Sequence, residues 1–254
     1  MSFVIDSEFA DRARRARPAV DEAYEPVLRW LIFTGVSAFA GVLLWRYGLI
    51  RTMVASDRTH ISSVIAVLYV AASAHCLWRC VVISREAGLG VVLGRASSFS
   101  ADPAWSATLP GGLVANHIRD LVAKAGAASP RRLDQTLLLR GFAQRLAAPN
   151  KLGALAADTL MKLGLLGTIV GFILMLGPIA GLDAEDEAAL KTAMGAMSDG
   201  MAVAMYTTLA GLVGSILLNA QYYLLDVATK DVFWNVVRLT ESKIVPTLER
   251  PHVR

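Results

Sequence analysis

A chain of 254 residues that is 55% hydrophobic and 18% charged, with a mean hydropathy of +0.49, is too apolar for an ordinary water-soluble domain. Its length allows one or two domains, and a net charge of +4 is what basic loops beside a bilayer produce, so nucleic acid is not needed as a partner. With four histidines and no Ser-His-Asp set, P-loop, GxGxxG or HExxH, the chain carries no enzyme signature, and no cofactor is expected.

Residues 1–26 are charged and lack the apolar core of a cleavable signal peptide. Phe3, Phe9, Ala13 and Ala16, flanked by Asp11, Arg12 and Arg15, fit a short amphipathic helix at the cytoplasmic interface, interrupted by Pro18 and Pro26. Simple disorder is the alternative. Residues 27–83 hold two spans, one from Trp30 to Trp45 and one from Ile61 past Trp78 to about Ile83. Tryptophans at their ends act as interfacial anchors, and their modest length suits a peripheral place. Cys76 and Cys80 stand four apart with no second pair, which fits buried thiols better than a metal site. His75 reads as an interfacial or bundle-facing histidine, with a proton relay as the sharper alternative.

Residues 84–156 form a basic helical region, with Arg85, Arg95, Arg119, Lys124, Arg131, Arg132, Arg140, Arg145 and Lys151. Asp102-Pro103 and Ser129-Pro130 divide it. The second pair predicts a helix start, Ser129 as N-cap and Pro130 first in the helix, running to Ala147 and stopped by Pro149-Asn150.

Residues 157–226 hold two further spans. The uncharged runs from Lys162 to Asp183 and from Asp199 to Asp226 are each long enough to cross a core of about 30 Å. On the last span Ala204, Thr208, Gly211, Ser215 and Asn219 recur every three or four residues, so they share a small, polar face. Thr207 lies one position off it. On the preceding span Leu160, Gly164, Thr168, Gly171 and Met175 make a similar face, and Gly167 with Gly171 forms GxxxG. Small residues of this kind let membrane helices pack closely, which is the plainer reading of Gly164, Gly167, Gly171 and Gly211. The segment 183–199 reads as a short acidic loop, and 227–254 as a cytoplasmic helix extending the last span.

Basic 84–156 and acidic 183–199 place the first inside and the second outside. Four spans then put both termini in the cytoplasm. The expected fold is all-α, a polytopic membrane protein with cytoplasmic helical extensions. Asp158, four residues before Lys162, and Asp226, at the end of the last polar row, read either as local charge pairs or as proton exits.

GLLGTIVGF and SDGMAVAMYTTLAGLVGS together resemble the last two helices of the MotA/TolQ/ExbB proton channel family. That resemblance implies a bacterial inner-membrane stator subunit. It also implies a homopentamer around two copies of a MotB/TolR/ExbD-like partner, which has one span and one essential membrane Asp. Hydroxyls of the pore-lining helices face that Asp in the family, and Thr168 and Thr208 stand at the matching positions. TolQ- and ExbB-type members also carry a Glu early in the last helix, where this chain has Val203. The ion pathway implied here comprises Thr168, Thr207, Thr208, Ser215 and Asn219. A non-conducting membrane scaffold and a solute transporter are the competing readings.

Overall fold

The computed structural model describes residues 26–48, 51–53, 60–95, 104–107, 109–127, 133–178 and 187–249. The expectations for the N-terminal segment before Pro26, for Asp102-Pro103 and for a helix start at Ser129-Pro130 lie outside the described residues.

The described residues are helical, without a strand. Helix α1 is Pro26–Arg46. Helices α2 (Ile61–Arg95), α3 (Ala104–Ala107), α4 (Leu113–Ala127) and α5 (Thr136–Ala147) follow. After a 3-10 turn at Ala148–Asn150 come α6 (Lys151–Leu176) and α7 (Glu187–Leu239), then a π-helical segment at Thr240–Ile244 and α8 (Val245–Leu248). Four stretches are long and apolar enough to cross a bilayer: Pro26–Arg46, Ile61–Gly94, Thr136–Leu176 and Leu190–Leu248. Length and hydropathy together make this a multi-pass membrane protein.

Several expected boundaries move. Residues 187–199, expected as an acidic loop, are the first turns of α7. EAALKTAM is built from strong helix formers, and its charges sit on a helix surface without penalty. α5 begins at Thr136, after the non-helical residues 133–135. Asp134 stops it there, because its carboxylate accepts from the Thr136 amide at 2.9 Å and the Thr136 hydroxyl at 2.6 Å. Those two bonds hold the exposed Asp134 carboxyl below its ordinary value. The preceding Leu133 amide is also engaged, donating to Glu249 at 2.8 Å. Pro149 falls in the 3-10 turn, where its missing N–H ends α5 before α6 starts at Lys151. The expected divisions at 83, 156 and 226 fall inside the continuous helices α2, α6 and α7.

The chain forms two compact units. One, the hairpin unit, comprises Leu31–Cys76 and Lys151–Tyr223. The other comprises the remainder, with α3, α4, α5 and the C-terminal part of α7. In this second unit Ile83, Val114, Ile118, Leu121, Leu146, Val236 and Ile244 are fully buried. His117 stacks on Phe142 at 4.9 Å, and Phe142 on Phe233 at 6.0 Å. Burial pushes the His117 imidazole below its ordinary pKa, against a smaller opposing pull from Asp120. Two buried charges close helix ends. Glu86 accepts from the first amides of α4, Leu113 at 2.8 Å and Val114 at 2.9 Å. The Arg79 guanidinium donates to the Leu146 carbonyl near the end of α5, at 3.0 Å. An anion at a helix N-terminus and a cation at a C-terminus complement both the orphan groups and the dipole.

Candidate functional site

The site is the seam between α6 and α7 within the hairpin unit, and glycine makes it. A Cβ on Gly167 would stand 2.2 Å from the Thr207 hydroxyl oxygen. One on Gly171 would stand 2.7 Å from the Ala204 amide nitrogen and the Gly200 carbonyl oxygen. From the other side, a Cβ on Gly211 would stand 2.7 Å from the Leu160 carbonyl and 2.8 Å from the Gly164 Cα, and one on Gly200 would stand 2.6 Å from the Met175 nitrogen. The pairing 171 with 204, 167 with 207 and 164 with 211 runs in opposite directions along the two helices. α6 and α7 are therefore antiparallel, with backbone against backbone. Further along, the Tyr222 ring lies over Gly153, where a Cβ would come within 2.1 Å of it. The Tyr222 hydroxyl donates to the Ala72 carbonyl at 3.2 Å and sits 2.7 Å from His75 Nδ1.

This seam sorts the hydroxyl residues. Thr207 is fully buried against Gly167, and its hydroxyl donates to the Val203 carbonyl at 2.8 Å. Within one chain it is a packing residue. Ser215 is also buried, whereas Asn219 is exposed. Thr168 and Thr208 are half-buried, each one position beyond a seam residue. One position is a turn of about 100° about the helix axis. Because α6 and α7 are antiparallel, that turn carries both threonines to the same side of the pair. Gly164 and Gly167 face 207–211, so the two threonines lie within about one helical turn of each other along the pair. α7 meets α1 and α2 on its other flank. There the Gln221 amide donates to the Thr34 hydroxyl at 3.2 Å and the Tyr69 hydroxyl at 3.4 Å, and a Cβ on Gly214 would touch the Tyr69 ring at 3.9 Å.

The hydroxyl protons are already placed. Thr168 donates to the Leu165 carbonyl. Thr208 donates to the Ala204 carbonyl at 2.9 Å, with a longer approach of 3.3 Å across the seam to the Gly164 carbonyl. Each oxygen keeps lone pairs with which to accept.

Residues 116–233 match the model of the MotA/TolQ/ExbB proton channel family. The match covers 118 of the 254 residues, a little under half of the chain. Neither the curated proteins nor the solved structures give a match. The MotA/TolQ/ExbB match begins in α4, runs through α5 and α6, and ends within α7. It thus reaches well before Gly164, where the sequence motifs that carry the resemblance begin.

Two carboxylates of the sequence reading stand beside lysines of their own helix. Asp158 is 2.6 Å from Lys162, and Asp226 is 2.7 Å from Lys230. Among the described residues no group of three or more His, Cys, Asp or Glu is placed to hold a metal, and Cys76 and Cys80 are buried thiols. Gly153 escaped the sequence reading, although it lies eleven residues, about three turns, before Gly164 and hence on the same face. Glu86 escaped it as well, because its partners lie on another helix with no spacing to announce them.

Proposed function

We propose that this chain is the channel-forming stator subunit of a proton-driven motor in the bacterial inner membrane. Five copies would surround two copies of a single-span partner that carries one membrane Asp, in the manner of MotB, TolR or ExbD. The observation that carries the reading is the placement of Thr168 and Thr208 on one side of a glycine-locked pair, with α1 and α2 on the other flank of α7. In a ring that side faces the axis, and α1 and α2 lie outside.

The chemistry follows from the protons. A threonine that donates to its own backbone offers a lone pair, which suits the O–H of a protonated carboxyl or a water. A charged carboxylate only accepts, so the hydroxyl must leave its carbonyl to meet it. Protonated Asp is therefore held with no rearrangement, and ionised Asp is costly at membrane depth unless water or a turned hydroxyl reaches it. Loading and unloading the proton changes which seat the Asp prefers, and the proton gradient gives that exchange a direction. Asp158 and Asp226, each with an adjacent lysine, are the proposed exits. Asn219 and Ser215 continue the polar row of α7. The competing reading, a scaffold that does not conduct, draws on the same backbone hydrogen bonds of the threonines.

Co-expression with a single-span, Asp-bearing partner tests the proposal. Native mass spectrometry should return five of these chains with two partners, and vesicles holding that complex should take up protons when the partner is released to conduct. A monomer, or a ring impermeable to protons under every condition, refutes it.

Both termini are proposed to be cytoplasmic. With Cys76 and Cys80 replaced by Ser, a single Cys at Glu187 should react with an impermeant thiol reagent applied to spheroplasts, and one at Arg131 should not. Labelling at 131 alone reverses the orientation.

A further inference from the structure

One buried titratable group has no part in the channel reading. His117 of α4 is 4% exposed, and its Nε2 meets no hydrogen-bond partner among the described residues. With the equally buried Phe142 it lines a cleft of about 90 Å³ between α4 and α5. Leu113 and Leu138 add apolar lining, and the exposed Asp120 and Arg145 complete it on the solvent side. The imidazole stacks on Phe142, which in turn stacks on Phe233 of α7. The ring therefore helps to hold α4 against its neighbours.

A neutral imidazole tolerates this seat. With Nε2 left as a lone pair, it forfeits one hydrogen bond. An imidazolium carries N–H on both nitrogens, and its charge would stand unpaired among apolar side chains, at a far higher cost. The surrounding charges do not offset that cost. Asp120, three residues along α4, attracts the charge from the exposed side, and the Arg145 cation of α5 offers it nothing. Glu86 of α2 is engaged by the amides of Leu113 and Val114. α7 presents the uncharged ring of Phe233 behind Phe142. Burial thus outweighs Asp120 and sets the imidazole below its ordinary value of 6.5. To take up a proton, the ring has to leave Phe142 and reach water beside Asp120.

We propose that the α4–α5 pair is an acid-sensitive joint, closed while His117 is neutral and opened when His117 is protonated. The open form, with the ring in water, binds the proton more readily than the closed form. The closed form therefore has its full stability above 6.5 and loses it as the pH falls below that value. In the proposed channel this region is cytoplasmic, so the joint would respond to the protons that the channel delivers. That consequence rests on the channel reading. The joint itself rests on the cleft and its buried ring.

The test is hydrogen–deuterium exchange of the full-length chain, with its co-purifying subunits, in lipid nanodiscs. It is run at about pH 7.5 and about pH 5.5 and corrected for the intrinsic pH dependence of exchange. Amides of α4 should exchange faster at the lower pH, by up to about tenfold, the factor by which one unit below 6.5 favours the open form. Amides of the α6–α7 seam should keep their protection. His117→Phe fills the seat with a ring that cannot be charged, so its α4 amides should exchange alike at both pH values. Equal protection of α4 in the wild type at the two values, an equal loss along the seam, or an acid-dependent loss that survives in His117→Phe would each overturn the proposal. The wild-type comparison of α4 with the seam decides even where His117→Phe folds poorly. The readout needs no proton flow, so a complex that does not conduct refutes the channel and leaves the joint standing or falling on its own exchange.

Discussion

Gly171→Leu should remove the assembled complex from the membrane. The Cβ alone would stand 2.7 Å from two backbone atoms of α7 and from the Ala204 Cβ. Backbone atoms of a packed helix cannot step aside as a flexible side chain can, so the helices must separate. Overpacking of a tight core costs about 1–3 kcal/mol even where side chains can repack, and here the cost should exceed that range. Gly211→Leu, which meets the Leu160 carbonyl and Gly164, should behave alike. Gly164→Leu, whose Cβ would find 3.2 Å, should be somewhat milder. Val213→Leu adds bulk on an exposed face and should change little. Membrane abundance and complex mass decide the matter. Wild-type levels of complex from Gly171→Leu would mean that α6 and α7 do not pack as described.

Thr168→Val and Thr208→Val should leave the complex intact and abolish its proton-driven output. Valine keeps nearly the volume of threonine and loses the hydroxyl, so the exchange tests chemistry more than shape. As a structural bond within a membrane a side-chain hydrogen bond is worth only about 0.6 kcal/mol, too little to unseat a complex. As a seat for a protonated carboxyl it has no substitute. Thr208→Ser should retain part of the output. Thr207→Val touches a buried group whose hydroxyl bonds only to carbonyls of its own helix. Its effect should appear in abundance before it appears in output. Complex mass and proton uptake should be read on the same preparations. Two valine variants that assemble and still take up protons would leave the scaffold reading standing.

How far the seam was legible depended on spacing. Glycines every three or four residues within an apolar run have one common use, close helix approach, so GLLGTIVGF and the TTLAGLVGS stretch announced a packed pair. What spacing does not contain is the azimuth of the contact. The polar row through Thr208 was visible, yet the buried line of α7 runs through Thr207, because the cleft left by Gly167 accepts the nearer side chain. The acidic segment 187–199 misled for a related reason. Charge suggested a loop, while Ala, Leu, Lys and Met favoured helix and prevailed. Glu86 was illegible altogether. Its two acceptor bonds cross 27 and 28 residues to another helix, and nothing periodic marks such a meeting.

The scarcity of side chains along the seam also limits how the α6–α7 pair can move. Where Gly164, Gly167 and Gly171 mesh with Gly200, Ala204, Thr207 and Gly211, sliding one helix along the other by a single residue drives a β-carbon into a backbone. The pair has lost its internal degrees of freedom and travels as one cog tooth. In the proposed ring of such teeth, compliance would be left to the joints between neighbouring chains, and each proton's work would be delivered there.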